Sequence, residues 1–330
     1  MTSSERVPAS ERAAEREGRL PDFFIVGHAK SGTTALYEML RGRPQIFMSE
    51  LKETRFFAAE LHPRHPQARS PNRHPQTLSE YVALFARARP EQLVGEASPS
   101  YLRSHAAAER IAKLRPDARI VAILREPASF LRSLHLQLLQ AHVESEKDLR
   151  RALALEDSRR REQELGNPLA QGLLYSEHVR YVEQLRRFHA VFPREQVLVL
   201  IYDDYLADNE GTVREVLRFL DVDDGSPIEA LQANPTVQVR SPRIYGLVRS
   251  LYMGRGPVAG AAKKAIVAVT PRRLRRRALT LERRVQWGRP ETPDEELMHE
   301  LRKRFEGEVV ALSEYLDRDL VKLWGYDGID

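Results

Sequence analysis

The sequence predicts an α/β fold, in which a single domain is built around a central parallel sheet flanked by helices. Several short apolar runs lack polar alternation, which is typical of strands buried on both faces of a parallel sheet. These runs alternate with helical patterns, as strands joined by right-handed crossovers require. The 330 residues, 42% of them hydrophobic, are enough to bury a sizeable core within one domain.

The predicted elements follow one another in strand and helix order. The first strand is Phe23–Val26, whose aromatic and β-branched residues stop at Gly27. A later strand, Ile120–Leu124, precedes Pro127, which suits the first turn of a helix. The insertion at 144–171 is rich in Arg and Glu and predicts a solvated helix. The remaining predictions are a helix at 35–40, a strand end at 93–94, a helical pattern at 175–192, a strand at 196–202 and a helix at 211–220.

The segment after the first strand has the composition of an anion site. It brings Lys30, Ser31, Gly32, Thr33 and Thr34 to a helix start. Unpaired backbone N–H groups and the helix macrodipole favour an anion there, while the lysine adds a full charge and the hydroxyls add donors. In the usual nucleotide triphosphate loop the lysine follows the second glycine, whereas here it precedes it. The local chemistry is therefore phosphate or sulfate binding, with an unusual loop.

Arg125 is predicted at the same edge of the sheet, because ligands of open α/β sheets gather beyond the carboxyl ends of strands. The two motifs together resemble those of the sulfotransferases, which use 3′-phosphoadenosine 5′-phosphosulfate (PAPS) as sulfuryl donor. The resemblance implies a P-loop NTPase-like sulfotransferase fold, with a 5′-phosphosulfate loop at Lys30–Thr34. It also implies that Arg125 and Ser133, eight residues later, bind the 3′-phosphate of the donor.

A third motif bears on the acceptor. Lys52, Glu53, Phe56 and Phe57 form a K-E-x-x-F-F string that resembles the acceptor-side motif of glycan sulfotransferases of the heparan sulfate type. The resemblance implies that Glu53 is the general base, which takes the proton of the acceptor hydroxyl. Apolar neighbours would raise the pKa of this carboxyl by desolvation. His105 is an alternative base.

Glu96 lies at another predicted strand end, in the string GEASPSYL. It is expected either to orient Lys30 or Arg125 or to satisfy nearby backbone groups. Similar family members carry a lysine directly after this glutamate, whereas this chain has Ala97.

The resemblance extends loosely into the C-terminal third. Arg240 and Ser241 fall where related proteins place a loop over the 3′-phosphate, and both are expected to bind the donor. The string RDLVKLW, which ends at Trp324, is similar to the ending of bacterial sulfotransferases and is expected to serve packing.

The implied reaction is in-line displacement at sulfur, which releases adenosine 3′,5′-bisphosphate. Lys30 is expected to stabilise charge on the leaving phosphate. No metal is expected, because the reacting group of the donor carries one negative charge that a lysine can meet, and the ten histidines form no recognisable ligand cluster. The acceptor is expected to be a small-molecule or glycan hydroxyl, on a carbohydrate or a secondary metabolite.

Two other functions compete with this interpretation. An ATP-dependent small-molecule kinase would need Mg²⁺ and an acidic ligand after a strand, and Asp203 and Asp204 occupy such a position. A nucleic-acid-binding protein would use the segment 263–289, which carries ten basic residues against one acidic residue. Nucleic acid is not expected as a partner, because that alternative leaves the two phosphate motifs unexplained.

Composition bears on the location of the protein. Residues 1–20 have no apolar core of a secretory signal and predict a disordered tail before a sulfotransferase domain at 21–330. No run of about 18 apolar residues predicts a transmembrane segment. The absence of cysteine is compatible with a reducing compartment. We expect a bacterial cytoplasmic enzyme, while the oligomeric state does not follow from the sequence.

Overall fold

The structure is a computed structural model that describes residues 19–61, 74–167, 170–223, 225–228, 238–239, 287–288 and 292–329. Its main strands are β1 (Phe23–Gly27), β2 (Ile46–Met48), β3 (Leu93–Ala97), β4 (Arg119–Leu124) and β5 (Val197–Ile201). These strands form one parallel sheet in the order β2-β3-β1-β4-β5. The predicted α/β class, with a central parallel sheet, is therefore confirmed.

Helices flank the sheet on both faces. They are α1 (Thr33–Arg41), α2 (Leu78–Ala83), α3 (Ser100–Arg103), α4 (Ala107–Leu114), α5 (Pro127–Gln140), α6 (Leu149–Ala154), α7 (Glu156–Glu164), α8 (Tyr175–His178), α9 (Tyr181–His189), α10 (Tyr202–Ala207), α11 (Asn209–Phe219), α12 (Glu295–Leu316) and α13 (Leu320–Leu323). Short 3₁₀ segments lie at Phe56–Leu61, Ala170–Leu173 and Arg194–Gln196. A separate antiparallel pair joins β6 (Gln238–Val239) to β7 (Trp287–Gly288).

The central strands are continuous apolar runs because both of their faces are covered. In β1, Phe24 and Val26 join one hydrophobic cluster, whereas Phe23 and Ile25 join the cluster on the opposite face. Alternation along the strand thus divides the core into two layers, one on each side of the sheet.

Gly27 fixes where β1 ends. It lies opposite Ile123 of β4, and a Cβ atom added to it would be 2.7 Å from the Ile123 carbonyl oxygen. Its φ of +130° is also a conformation that glycine adopts and other residues avoid. The chain therefore leaves the sheet beside the end of β4. Arg125 follows that end of β4 directly. After β3 the chain crosses to the other side of β1, so this edge is a topological switch point, where ligands of open sheets bind.

The predicted elements differ from the structure mainly at their ends. The pattern at 175–192 is divided into α8 and α9, and the insertion at 144–171 contains α6 and α7. Most of α7 is solvated as predicted, but Arg159 is buried and pairs with buried Glu144 at 2.8 Å. This ion pair joins the start of the insertion to α7, and the buried Tyr175 hydroxyl, which donates to Glu144 at 2.9 Å, connects the insertion to the core.

Several predictions lie outside the described residues. They are residues 1–18 of the predicted tail at 1–20, the predicted donor residues Arg240 and Ser241, and the basic segment 263–289 apart from Trp287 and Gly288. The division into a tail and one sulfotransferase domain stays a prediction. Within the ranges that the structure describes, every helix is too short or too polar to span a bilayer.

Candidate active site

The loop between β1 and α1 presents hydrogen-bond donors that suit an anion. Gly32 is the N-cap of α1, and among the described residues no side chain caps this helix start. The first-turn amides of Thr33 and Thr34 are those that a helix cannot pair internally. The hydroxyl of Ser31 is fully buried and has no hydrogen-bond partner in the described part of the chain. An orphaned buried donor beside an uncapped helix start fits an oxyanion.

The loop backbone is held in an unusual conformation. Lys30 has a φ of 69° and Gly32 a φ of 86°, so both lie in the left-handed region. Gly32 also approaches the ring of Tyr202, since a Cβ atom added to it would be 3.1 Å from that ring. Two left-handed residues therefore shape the loop just before the start of α1.

Arg125 joins this loop, as its position at the strand end predicts. Its Nη1 donates to the carbonyl oxygen of Lys30 at 2.8 Å. Its guanidinium lies 4.8 Å from the centre of the Tyr202 ring, and its own carbonyl oxygen accepts from the Tyr181 hydroxyl at 2.9 Å. Contacts from α9 and α10 thus fix the arginine against the loop.

The electrostatics of the loop favour a negative ligand. Burial, and secondly the charge of Arg125, lower the pKa of Lys30. The first effect is the cost of removing the ammonium charge from water, and the second is the cost of holding two cations close together. A bound phosphate or sulfate removes that cost, because it supplies the opposite charge.

Ser133 lies on α5, two turns after Arg125, and its side chain is buried. The start of α5 is strongly fixed, because Glu126 accepts hydrogen bonds from the amides of Ala128 and Ser129. Glu126 also accepts from the Tyr326 hydroxyl at 2.6 Å. This carboxylate therefore caps a helix and fastens the C-terminal region, next to Arg125 in sequence.

Glu53 lies on the other side of β1, in a loop that docks on the end of β3. Its backbone N–H donates to the Ala97 carbonyl oxygen at 2.8 Å, and its φ is 60°. The turn places its carboxylate 3.0 Å from Lys52 Nζ and 3.2 Å from a guanidinium nitrogen of Arg55. The side chain remains 37% exposed and is accessible to an acceptor.

The expected rise in the pKa of Glu53 is wrong. Burial does raise this pKa, but the charges and hydrogen bonds of Lys52 and Arg55 lower it by more, and the net direction is down. The carboxyl is consequently ionised at neutral pH, in the form that accepts a proton.

Glu96 supports the Glu53 loop through hydroxyl groups. It contacts neither Lys30 nor Arg125, the two cations that the sequence analysis named as its partners. Its buried carboxylate accepts from Ser98 Oγ at 2.5 Å and from the Tyr81 hydroxyl at 3.1 Å. Ser98 Oγ in turn accepts from the Arg55 amide at 3.1 Å. Burial raises the pKa of Glu96, although hydrogen bonds from hydroxyls, that of Ser98 foremost, oppose the rise.

His28 is a residue of the loop that the sequence analysis missed. Its Nε2 lies 2.8 Å from Gln184 Oε1, and its buried ring is 5.3 Å from the ring of Tyr181. Gln184 Nε2 donates to the carbonyl oxygens of Glu177 and His178, so its Oε1 faces the histidine and His28 Nε2 carries the proton. Burial lowers the pKa of His28 to about 3, so the ring is neutral. No local signal predicts this contact, since the partners are 156 residues apart.

The candidate metal ligands are engaged in other contacts, and His105 stays a sequence prediction as the alternative base. His105 is exposed just before α4 and lines a cleft on the outer side of α9. Asp203 accepts from the indole N–H of Trp324 at 2.9 Å, and Asp204 forms a two-bond ion pair with Arg318, at 2.6 and 2.7 Å. Both aspartates therefore hold the C-terminal region, where Trp324 is buried as expected.

Comparison with known proteins agrees with this geometry. A sequence profile described as the sulfotransferase family matches residues 21–225. The chain belongs to this family. The matched residues include the loop, Arg125 and Glu53.

Individual relatives are more distant. Mouse (Mus musculus) heparan sulfate glucosamine 3-O-sulfotransferase 3A1 is 27% identical over 211 residues, which cover 62% of this chain and 47% of that protein. Human (Homo sapiens) carbohydrate sulfotransferase 15 is 24% identical over 247 residues, with 62% and 44% coverage. The chain thus spans about half the length of the curated relatives it matches.

A solved structure extends the likeness to almost the whole chain. The crystal structure of a sulfotransferase from Alicyclobacillus acidocaldarius is 26% identical and superposes with a TM-score of 0.66. The superposition covers 93% of this chain and 99% of that one. The sulfotransferase fold is thereby shown for this sequence.

Proposed function

We propose that this sulfotransferase transfers a sulfuryl group from PAPS to an acceptor hydroxyl and releases adenosine 3′,5′-bisphosphate. The observation that carries the proposal is the cluster of Lys30, Arg125 and Ser31 at the start of α1. In the described part of the chain, the Ser31 hydroxyl has no hydrogen-bond partner and no side chain caps this helix. Two cations and several unused donors at one sheet edge suit a ligand with phosphate at one end and phosphosulfate at the other.

The donor would be held by two sets of groups. The amides and hydroxyls of Ser31, Thr33 and Thr34, with Gly32 between them, would bind the 5′-phosphate. Arg125 and Ser133 would bind the 3′-phosphate, which is the feature that distinguishes PAPS from ATP. Arg240 and Ser241 remain proposed donor ligands from the sequence alone. A protein that positions the donor and neutralises its charge in this way lowers the activation barrier of the transfer through preorganised electrostatics.

The chemical step would be an in-line displacement. The acceptor oxygen forms a bond to sulfur as the bond from sulfur to the bridging phosphate oxygen breaks. Lys30 would meet the charge that develops on that oxygen. Glu53 would take the hydroxyl proton, and its lowered pKa keeps it ionised for that role at neutral pH. We propose no metal for this step, because Lys30 and Arg125 supply the positive charge.

The acceptor class is proposed from the K-E-x-x-F-F string and from the printed names of the relatives, which are carbohydrate and heparan sulfate glucosamine sulfotransferases. We propose a carbohydrate hydroxyl, with a secondary metabolite as the other small-molecule acceptor. The bacterial cytoplasmic location stays a prediction of the sequence.

The test is calorimetric titration of the full chain with adenosine 3′,5′-bisphosphate, beside ADP with Mg²⁺. We expect the bisphosphate to bind and ADP with Mg²⁺ to bind more weakly. Arg125→Ala should weaken bisphosphate binding by about tenfold to a hundredfold, as the loss of a charge-assisted contact implies. Arg218→Ala is the control, since Arg218 is 62% exposed and lies 3.9 Å from its nearest carboxylate. Preference for ADP with Mg²⁺ would overturn the donor assignment in favour of a kinase.

A further inference from the structure

A cleft beside the donor loop is lined by more arginines than the loop needs. Its walls come from the end of α3, from α7 and α8 and from the exposed side of α9, and its cavity volume is about 130 Å³. That volume is several times what one water requires. Four arginines face two glutamates in its lining, so the cleft carries an excess of positive charge. These arginines are Arg103, Arg160, Arg180 and Arg187, and the glutamates are Glu177 and Glu183.

Three of the arginines are paired. Glu177 lies 2.9 Å from Arg160 and 3.4 Å from Arg180. Glu183 lies 2.8 Å from Arg187 and 3.2 Å from Arg180. The two glutamates thus share three guanidinium groups, which leaves one positive charge unbalanced, and Arg103 adds a second.

Arg103 has no carboxylate within ion-pair distance among the described residues. Its Nη1 donates to the Gln171 carbonyl oxygen at 3.2 Å, which satisfies one of its five N–H donors. Burial lowers the pKa of Arg103 to about 10, although the more distant charges of Glu177 and Glu60 oppose this. Nearby, Arg187 Nε is buried without a hydrogen-bond partner in the described part of the chain. Unused guanidinium donors at a partly dry cleft are what an oxyanion satisfies.

The Arg103 wall of the cleft follows β3, the strand on whose end the Glu53 loop docks. Arg103 ends α3, which follows β3, whereas the donor residue Arg125 follows β4 on the opposite side of β1. Gln184 lines the cleft and also contacts His28 of the loop at 2.8 Å. Gln184 therefore connects the cleft, through His28, to the loop where sulfuryl transfer is proposed.

We propose that this cleft binds one oxyanionic group, a carboxylate or a sulfate, carried by the acceptor, with Arg103 as its principal cation. This inference rests on the proposed function. The acceptor would then be an acidic sugar or a similarly charged molecule, and Arg187 would add a second set of donors. The same chemistry would recognise a free inorganic anion, which the experiment has to separate from an anionic sugar.

The experiment is calorimetric titration of the full chain at saturating adenosine 3′,5′-bisphosphate, which fills the donor loop. The probes are glucuronate, glucose and inorganic sulfate. We expect glucuronate to bind and glucose, its uncharged counterpart, to give no binding heat. Arg103→Gln should weaken glucuronate binding at least tenfold, as loss of a charged fork implies. Arg218→Gln, a change on the exposed surface, should leave it unaltered.

One further variant and a folding control keep the result interpretable. Arg103→Lys retains the charge without the planar fork and should give an intermediate affinity. Thermal unfolding shows whether each variant is folded, and bisphosphate affinity should stay within twofold in all of them. Equal binding of glucose and glucuronate, or unchanged binding in Arg103→Gln, would overturn the proposal. Binding of sulfate without glucuronate would assign the cleft to a free anion and overturn the acceptor role.

The outcome is separable from that of the proposed function. If the wild-type chain fails to bind adenosine 3′,5′-bisphosphate, the donor assignment fails, whereas the dependence of glucuronate binding on Arg103 still tests the cleft.

Discussion

Gly27→Ala should be the most damaging conservative change near the loop. The added Cβ atom would lie 2.7 Å from the carbonyl oxygen and 2.9 Å from the nitrogen of Ile123, both of them backbone atoms in the sheet centre. An alanine at a φ of +130° costs about 1–3 kcal/mol. Relief of the overlap would force β1 from β4, at about 1–3 kcal/mol more. We expect a total near 4 kcal/mol, a large share of a typical stability of about 5–15 kcal/mol.

Equilibrium urea denaturation measures this loss. Gly172→Ala is the matched control, because no atom of the described residues lies within 4 Å of a Cβ atom added there, and its effect should stay within about 0.5 kcal/mol. Gly27→Ala should also weaken bisphosphate binding, because the loop starts at this residue. A loss below about 1 kcal/mol would refute the reasoning, since it would mean that the two central strands separate at little cost.

Three further predictions concern charge. Lys30→Ala should lower turnover by about a hundredfold while changing bisphosphate affinity much less, which steady-state rates and calorimetry together measure. Arg55→Gln should raise the pKa of Glu53 and move the acidic limb of the pH-rate profile to higher pH, whereas an unmoved limb would exclude Glu53 as the base. His28 has its pKa lowered from 6.5 to about 3, so its contribution to stability is complete above pH 6.5 and is lost as the pH falls towards 3. The urea midpoint should decline between pH 7 and pH 4. In His28→Asn the free energy of unfolding should fall less steeply with decreasing pH, because about one proton fewer is taken up on unfolding. An equal slope in both proteins would contradict the assignment.

The proximity of Lys30 and Arg125 was predictable because its signals are local, and their role in binding the donor stays a proposal. Lys30 to Thr34 form one short stretch, and the apolar runs before Gly27 and Arg125 show which strands lie at the sheet centre. The carboxyl ends of parallel strands share one edge, so the approach of Arg125 to Lys30 follows from topology. The predicted strand at 120–124 is accurate for the same reason, since burial on both faces leaves an uninterrupted pattern.

The state of Glu53 was not predictable from composition alone. Lys52 and Arg55 are visible in the sequence, but the turn at Glu53, with its φ of 60°, decides that both cations reach the carboxylate. Whether burial or charge prevails depends on those distances. Likewise, Glu96 serves Ser98 and other hydroxyls, and this follows from how β3 packs against the Glu53 loop.

The two halves of the site differ in how they can change. The donor loop depends on backbone conformation at Gly27 and Gly32 and on one arginine that follows a central strand. The proposed acceptor cleft is built from side chains of short helices that meet only in the folded protein, and Gln184 connects the cleft to the loop through His28. Arg160 and Arg180, the exposed arginines of the cleft, can be replaced without a backbone change, because surface substitutions cost little stability. The specificity of the proposed acceptor cleft is therefore easier to alter by side-chain substitution than the proposed donor loop, whose shape depends on its backbone.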